Sequence, residues 1–373
     1  MLSGDSSIAQ GRDGAFYQML RRFSAHWARI DVICPHAPGA AARTLHGNVH
    51  VHPAPWRKAL QPAFIVRRGR ALCAERAYAL IASHDFGFFY NGLGAWRLSR
   101  STGVPYVSEI HHVEGYPRAA TLKERVYRAL AMAYIRWVWR RAAAIRVVNA
   151  VEMPELLARL GVPAARVLTL PSLYIDFATF HPMPDTPKQY DVAFVGRLAP
   201  NKGLFTLLDA VAQVRHTHPA VRLGILGAGP LRTALEARAA ALGLGAHVAW
   251  VGRVPDADDV ARFYNRARIV VCASTSEGGP RVTVEAMACG VPVISTPVGV
   301  MRELLEDGVN GLVWRWSSAE LADKIRLLLD DAPLRARLAE AGRQSVQQFQ
   351  ADDVIARYAR GYHALIRRLG EQG

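Results

Sequence analysis

The chain has 373 residues, 51% apolar and 21% charged, which excludes a disordered polymer and makes two ordinary domains the expectation. No apolar run reaches the roughly 18 residues of a spanning helix, since arginines 128, 136, 140 and 141 interrupt the most apolar helical region, 126–148. The net charge of +15 is uneven: residues 1–185 hold 23 Lys+Arg against 12 Asp+Glu, and the remainder 23 against 19. A basic first half fits an anionic partner, whether membrane, nucleic acid or phosphorylated substrate. Cys34, Cys73, Cys272 and Cys289 show no CxxC spacing and read as reduced thiols of a cytosolic protein.

In chain order, 15–26 has helical spacing, with Phe16, Met19, Leu20 and Phe23 on one face. Residues 30–34 read as a strand. Residues 46–52 alternate as another, with His50 and His52 on one partly exposed face and no third metal ligand in evidence. A basic amphipathic region covers 60–82, with Arg67, Arg68, Arg70 and Arg76 among Phe64, Ile65, Leu72 and Leu80. The pattern then predicts a strand over 86–90, a helix over 93–102 stopped by Gly103, and a strand over 104–112 whose end delivers His111 and His112. Helix 126–144, strand 145–149, helix 152–161 and strand 166–171 follow. Residues 171–187 carry four prolines without periodicity, as a linker would.

Beyond the linker, strands at 190–195, 222–226, 247–251, 269–273 and 291–296 alternate with helices at 204–215, 231–242, 256–266 and 318–329. Such alternation predicts a parallel, doubly wound sheet. A further helix is expected at about 354–373. The fourth of these strands opens the most informative stretch, 269–296. Its loop leaves the carboxyl end of a strand, where open α/β sheets bind ligands. Glu277 opens the loop and Glu285 follows one turn into the next helix. Gly278 and Gly279 allow close backbone approach, and the helix start with Arg281 favours an anion.

The run Glu277-GGPRVTV-Glu285-AMACGVPV resembles glycosyltransferase family 4, the retaining group 1 glycosyltransferases of the GT-B fold. Gly196-Arg197-Leu198 with Lys202-Gly203 resembles that family's diphosphate-binding segment, and 175–182 resembles its interdomain linker. The resemblance implies two Rossmann-like α/β domains facing a central cleft. An acceptor-binding domain would span 1–178, with the C-terminal helix packing back on it, and a nucleotide-sugar domain 186–353. Family members carry a first strand of about five apolar residues, most of which is missing ahead of Ser3, so the start would fall inside that strand. Residues 6–14 resemble the family's glycine loop, with Gly11 and Gly14 where adjacent glycines are usual. Gly279, followed by Pro280-Arg281, departs from the large residue often found two after the first Glu.

By the same resemblance, Arg197 and Lys202 neutralise the departing diphosphate, Glu285 holds the ribose, and Glu277 holds sugar hydroxyls. Gly196 and the backbone of Gly278, Gly279, Pro280 and Arg281 border the phosphates, and His111 orients the sugar. The catalytic set is then His111, Arg197, Lys202 and Glu277, with no cofactor and no metal, because fixed cations already stabilise the leaving group. The implied reaction moves a sugar with retention from a UDP- or GDP-sugar to a glycan or polyprenyl-linked acceptor, in polysaccharide or glycoconjugate biosynthesis. The +11 against +4 charge split places the enzyme peripherally on an anionic inner membrane face. Three other readings are a dinucleotide oxidoreductase, a sugar-nucleotide epimerase and a basic nucleic-acid binder. The first fails because Arg232 stands where the fingerprint after Gly227-Ala-Gly229 needs glycine. No nucleic-acid-binding motif is present, and the epimerase differs by its product.

Overall fold

The computed structural model describes residues 1–371. Two compact units divide the chain: Met1–Val113, Tyr127–Ser172 and the C-terminal segment from Asp352 form one, and Glu114–Val126 with Leu173–Ala351 the other. The division within the linker falls at Leu173. Segment 114–126, expected in the first domain, groups with the second because its backbone bonds there. Gly115 N donates to Ser276 Oγ at 3.3 Å and Arg118 N to the Thr275 carbonyl at 3.2 Å.

The first unit contains β1 (Ile30–Cys34), β2 (Arg43–Leu45), β3 (Val49–Pro53), β4 (Ile81–His84), β5 (Tyr106–Glu109), β6 (Ala144–Val147) and β7 (Val167–Thr169). Its helices are α1 (Ala15–Phe23), α2 (Gln61–Glu75), α3 (Tyr90–Thr102), α4 (Leu122–Val138, which begins in segment 114–126) and α5 (Glu152–Arg159). Strands run in the orders β1-β3-β2 and β4-β5-β6-β7, parallel except for β2 on β3. Leu2 forms parallel bridges to Ile33 on one side and Ser83 on the other. A single buried residue therefore joins the two ribbons, in line with the expectation that most of the family's first strand is missing.

One expectation in this unit is corrected. The strand predicted over 86–90 is a turn, and the true strand is β4, just ahead of it. An aromatic run satisfies strand propensity, but Phe86 and Phe88 are 52% and 57% exposed. The less apolar Ile81-Ala-Ser-His forms the strand, with Ile81, Ala82 and Ser83 buried, paired to β5 and bridged by Leu2. His46 lies outside β3, in the turn before it.

The second unit continues with β8 (Tyr190–Val195), α6 (Leu204–Arg215), β9 (Leu223–Leu226), α7 (Arg232–Ala241), β10 (Val248–Gly252), α8 (Ala257–Asn265) and β11 (Ala267–Cys272). After these come α9 (Arg281–Ala288), β12 (Val293–Ser295), α10 (Met301–Leu304), β13 (Leu312–Val313), α11 (Ser318–Asp330) and α12 (Ala332–Ser345). All six strands are parallel, in the order β10-β9-β8-β11-β12-β13. That is the doubly wound order, with its reversal between β8 and β11. Along β8, Val192 and Phe194 enter one apolar layer while Ala193 and Val195 enter the other. The period of two buries both faces, which is why these strands read as unbroken apolar runs. The sequence pattern missed β13, α10 and α12, the first two for their shortness.

The last helix, α13 (Ala351–Gly370), belongs to the first unit from Asp352 on. Tyr358 stacks on Phe23 at 4.6 Å between ring centroids and His363 on Trp27 at 4.3 Å. Gly361 lies against Leu170 where a Cβ would not fit.

Candidate active site

In the second unit the reversal of strand order puts the C-terminal ends of β8 and β11 side by side. The loop after β8 carries Gly196, Arg197 and Lys202, and the loop after β11 carries Glu277 to Pro280. Lys202 Nζ donates to Glu277 Oε1. Ser274 Oγ donates to the same carboxylate oxygen at 2.8 Å. The two loops are further laced together by Thr275 N to the Asn201 carbonyl at 2.8 Å and Asn201 Nδ2 to the Ser276 carbonyl at 3.3 Å. Glu277 is thus held from two sides. Arg197 is exposed at the mouth of the same loop.

The approach of these loops is close enough to demand glycine. Gly203 has φ +65°, and a Cβ there would collide with the Ala273 carbonyl. Gly227, at φ +147°, meets the Gly196 carbonyl in the same way. The Gly227-Ala-Gly229 run is therefore a packing device between the loops after β8 and β9. At Gly279, by contrast, a Cβ would make ordinary contacts with Val300 and Leu173, so no close backbone approach requires glycine there.

Helix α9 starts at Arg281 with Pro280 as N-cap and no side-chain cap. Its first amides, together with those of Gly278 and Gly279, present partial positive charge. The Arg281 side chain is already engaged: Nε donates to Glu285 Oε1 at 2.8 Å, and the guanidinium lies 5.1 Å from the Tyr174 ring centre. Glu285 also accepts from the Tyr264 hydroxyl at 3.0 Å. Burial pushes its carboxyl above the usual carboxylate range, opposed by Arg281 and Tyr264. The two residues expected to meet different parts of a donor, Arg281 and Glu285, are paired with each other.

Several residues of this site carried no sequence signal. Trp316 donates its Nε1 to the Ser274 carbonyl at 3.0 Å, and Arg118 lies 5.6 Å over its ring. With Gly115 and Arg118 on Ser276 and Thr275, these contacts brace the Glu277 loop from positions far away in sequence. Ser274 could have been found, since Ser-x-x-Glu places a hydroxyl within reach of the carboxylate.

His111, Gly11 and Gly14 lie in the first unit. His111 follows β5, with its side chain 41% exposed. Its pKa is lowered, first by burial and then by Arg146, against the raising effect of Glu109. Its exposure moderates the desolvation but not the direction, so the imidazole is neutral at pH 7. Gly11 caps a turn at φ +76°, and Gly14 is the N-cap of α1, both exposed. Among the described residues there is no cluster of three or more His, Cys, Asp or Glu suited to a metal. Asp256-Ala257-Asp258, which has the Asp-x-Asp spacing of a cation site, is a helix start: Asp256 caps α8 by accepting from Asp259 N at 2.8 Å.

Residues 179–345 match the family model for glycosyl transferases group 1, and residues 14–172 match a glycosyl transferase 4-like domain. The chain belongs to the group 1 glycosyltransferases. The transferase is 29% identical to the alpha-D-kanosaminyltransferase of Streptomyces kanamyceticus over 74% of each chain. It is 36% identical to the phosphatidyl-myo-inositol mannosyltransferase of Mycobacterium leprae, over 47% of this chain and 46% of that one. Its fold is GT-B. Sucrose-phosphate synthase from Thermosynechococcus elongatus superposes over 98% of both chains with a TM-score of 0.82 at 22% identity. Anabaena HepE in complex with UDP and glucose superposes over 97% of this chain and 98% of that one, with a TM-score of 0.76 at 20% identity.

The loop contacts give a direct expectation. Gly203→Ala should lose about 1–3 kcal/mol of stability, the scale of a strained left-handed residue, read as a lower urea midpoint. An unchanged midpoint would mean that the two loops are not pinned backbone to backbone.

Proposed function

We propose that the enzyme transfers a sugar from a nucleoside diphosphate sugar, UDP- or GDP-linked, to a hydroxyl of a glycan or lipid-linked glycan, with retention of anomeric configuration. The observation that carries this is the Lys202–Glu277 pair, set beside the uncapped start of α9 at the sheet's reversal point. A bound diphosphate would draw Lys202 and Arg197 to its oxygens, as the backbone N–H groups of Gly278, Gly279 and Arg281 meet the phosphates. Glu277, already steadied by Ser274, would accept hydrogen bonds from sugar hydroxyls, and Glu285 from the ribose. His111, Gly11 and Gly14 are assigned to the sugar and acceptor by family resemblance.

As the bond from the anomeric carbon to the phosphate oxygen breaks, negative charge grows on the diphosphate. Preorganised cations and amides stabilise it most at that moment. The acceptor oxygen attacks from the same face, and its proton passes to the leaving phosphate. No protein nucleophile is needed in this scheme. HepE is described in complex with UDP and with UDP-glucose, which favours a uridine donor as the first to try.

A panel of UDP-, GDP- and dTDP-sugars tested by thermal shift should give one clear winner. A ligand at ~100 times its dissociation constant stabilises by about 2.7 kcal/mol. Release of nucleoside diphosphate from that donor, on addition of acceptor, should persist in excess EDTA. Complete loss restored by Mg²⁺ or Mn²⁺ would contradict the assigned roles of Arg197 and Lys202. An isomerised donor with no transfer would favour the epimerase.

The acceptor side is proposed to work at an anionic inner membrane surface, with the protein held peripherally. Among the described residues no helix is long and apolar enough to cross a membrane. The support is a face of the first unit made by α2, α3 and the end of α4. Arg67 lies 4.5 Å over Trp56, Arg100 5.7 Å over Trp96, Arg140 4.3 Å over Trp139 and Arg141 4.5 Å over Trp137. Trp96 and Trp137 touch edge to face at 5.2 Å, which joins α3 to α4. Arg67, Arg70 and Arg97 line one shallow depression. Arg68 is not part of this face: it is half-buried, with its guanidinium 3.2 Å from His52 Nδ1. Basic residues near such a surface contribute about 1 kcal/mol each. The protein should co-sediment with vesicles containing phosphatidylserine, less so in high salt, and release when Arg67, Arg70 and Arg97 become Glu. Equal binding to neutral vesicles, or none to either, would contradict it.

A further inference from the structure

Behind His111 the first unit buries a charged cluster that the donor chemistry does not use. Glu109, the last residue of β5, is 1% exposed. Its Oε2 lies 3.1 Å from Arg146 Nη1, 2.8 Å from His84 Nε2 and 3.5 Å from His111 Nε2. Its Oε1 accepts from the Tyr358 hydroxyl at 2.6 Å and from the Tyr362 hydroxyl, both on α13. Arg146, on β6, is as deeply buried. It donates to the Leu170 carbonyl from Nε at 3.2 Å and from Nη2 at 3.0 Å, and lies 3.8 Å over the Tyr358 ring. Its Nη1 is 3.5 Å from His111 Nε2.

A buried ion pair is costly, and apolar residues of similar volume would often be neutral or better for stability. Here five elements surround the pair: β4 through His84, β5, β6, the Leu170 carbonyl after β7, and α13. Glu109 Oε1 is hydrogen-bonded by α13, while Oε2 has the Arg146 and His84 nitrogens at ion-pair distance but no aligned hydrogen bond among the described residues. The only member with much surface open to solvent is His111, which turns its Nε2 edge inward onto Glu109 and Arg146. His84 also faces it, ring centres 5.7 Å apart, and is itself backed by Phe16 of α1 at 5.8 Å. The arrangement has the form of a second layer that aims a ligand-contacting side chain.

We propose that Glu109 and Arg146, locked by Tyr358 and Tyr362, are positioning residues that fix the orientation and charge of His111 for its work on the sugar. The inference rests on the assignment of His111 to the donor sugar made above. Burial alone would raise the Glu109 carboxyl, but Arg146 and His84 hold it well below the usual range. Burial first, and the Arg146 guanidinium with it, keep a proton off the imidazole against the pull of Glu109. If Arg146 is removed, a bare carboxylate faces His111 and the imidazole gains a proton more readily.

Labelled-histidine NMR and turnover together test this. In the wild type His111 should stay neutral down to about pH 5, with a level kcat from pH 8 to that point. In Arg146→Met its titration midpoint should rise by more than one unit, and kcat should fall as pH drops through the new midpoint. Arg146→Lys should restore part of the level profile. Tyr358→Phe with Tyr362→Phe keeps the core volume and tests the same claim if Arg146→Met does not fold. That double variant should lose roughly 10- to 100-fold in kcat, the scale of a small misplacement, with donor KM little changed. Folded variants with wild-type kcat and an unmoved His111 titration would overturn the proposal. A shifted titration with normal turnover in His111→Ala would instead remove the donor role of His111, while the placement of the imidazole by Glu109 and Arg146 would stand.

Discussion

Strands β8 and β11 are neighbours in the sheet although β9 and β10 separate them in the chain. This adjacency is the constraint on which the site depends. Helices cross over on opposite faces on either side of the reversal, so the two loops leaving β8 and β11 have no helix between them. They meet directly, backbone against backbone at Gly203 and Ala273, and through the side chains of Lys202 and Glu277. Opposite charges brought together in this way can be opened by a ligand carrying both signs of demand: anionic oxygens for the lysine and hydroxyl donors for the glutamate. A sugar diphosphate is such a ligand.

The two units handle charge differently. In the second, Lys202, Glu277 and Arg281 keep part of their side chains open to solvent while Glu285 is buried, and each pair contains a residue that a donor could claim. Under the proposed function, Lys202 with Glu277 and Arg281 with Glu285 would exchange each other for ligand contacts. In the first, Glu109 and Arg146 are sealed inside at 1% exposure each, so they act only through the histidine they abut. A buried, fully partnered pair is rigid, and a partly open one exchanges partners.

Much of the second unit was legible because its signals are local. Helix α6 was bounded correctly by its apolar stripe after Gly203, and short apolar runs marked β8, β9, β11 and β12. The two Glu of 277 and 285 could be placed on a loop and the helix after it from Gly278, Gly279 and Gly290. What the sequence hid is non-local. Nothing in Gly115 or Arg118 says that they bond to a loop about 160 residues later, and Trp316 resembles any core tryptophan. Nothing local marks Glu109, which lies at the centre of a cluster whose other members are up to 253 residues away. The misplaced strand at 86–90 shows the related limit, that aromatic content was mistaken for burial. Leu2, holding a strand's place by two bridges, is too short to leave any periodic trace.

The central claim is that Lys202 and Glu277 act on the donor as one unit. A double-mutant cycle on donor turnover, followed as release of nucleoside diphosphate, tests it most directly. Lys202→Ala and Glu277→Ala should each cost roughly 10²–10³-fold in kcat, the usual scale for a preorganised charge stabiliser. The double variant should be little worse than the poorer single one, because groups acting as a unit are strongly non-additive. Wild-type turnover in either single variant, or two losses that simply multiply, would contradict the account.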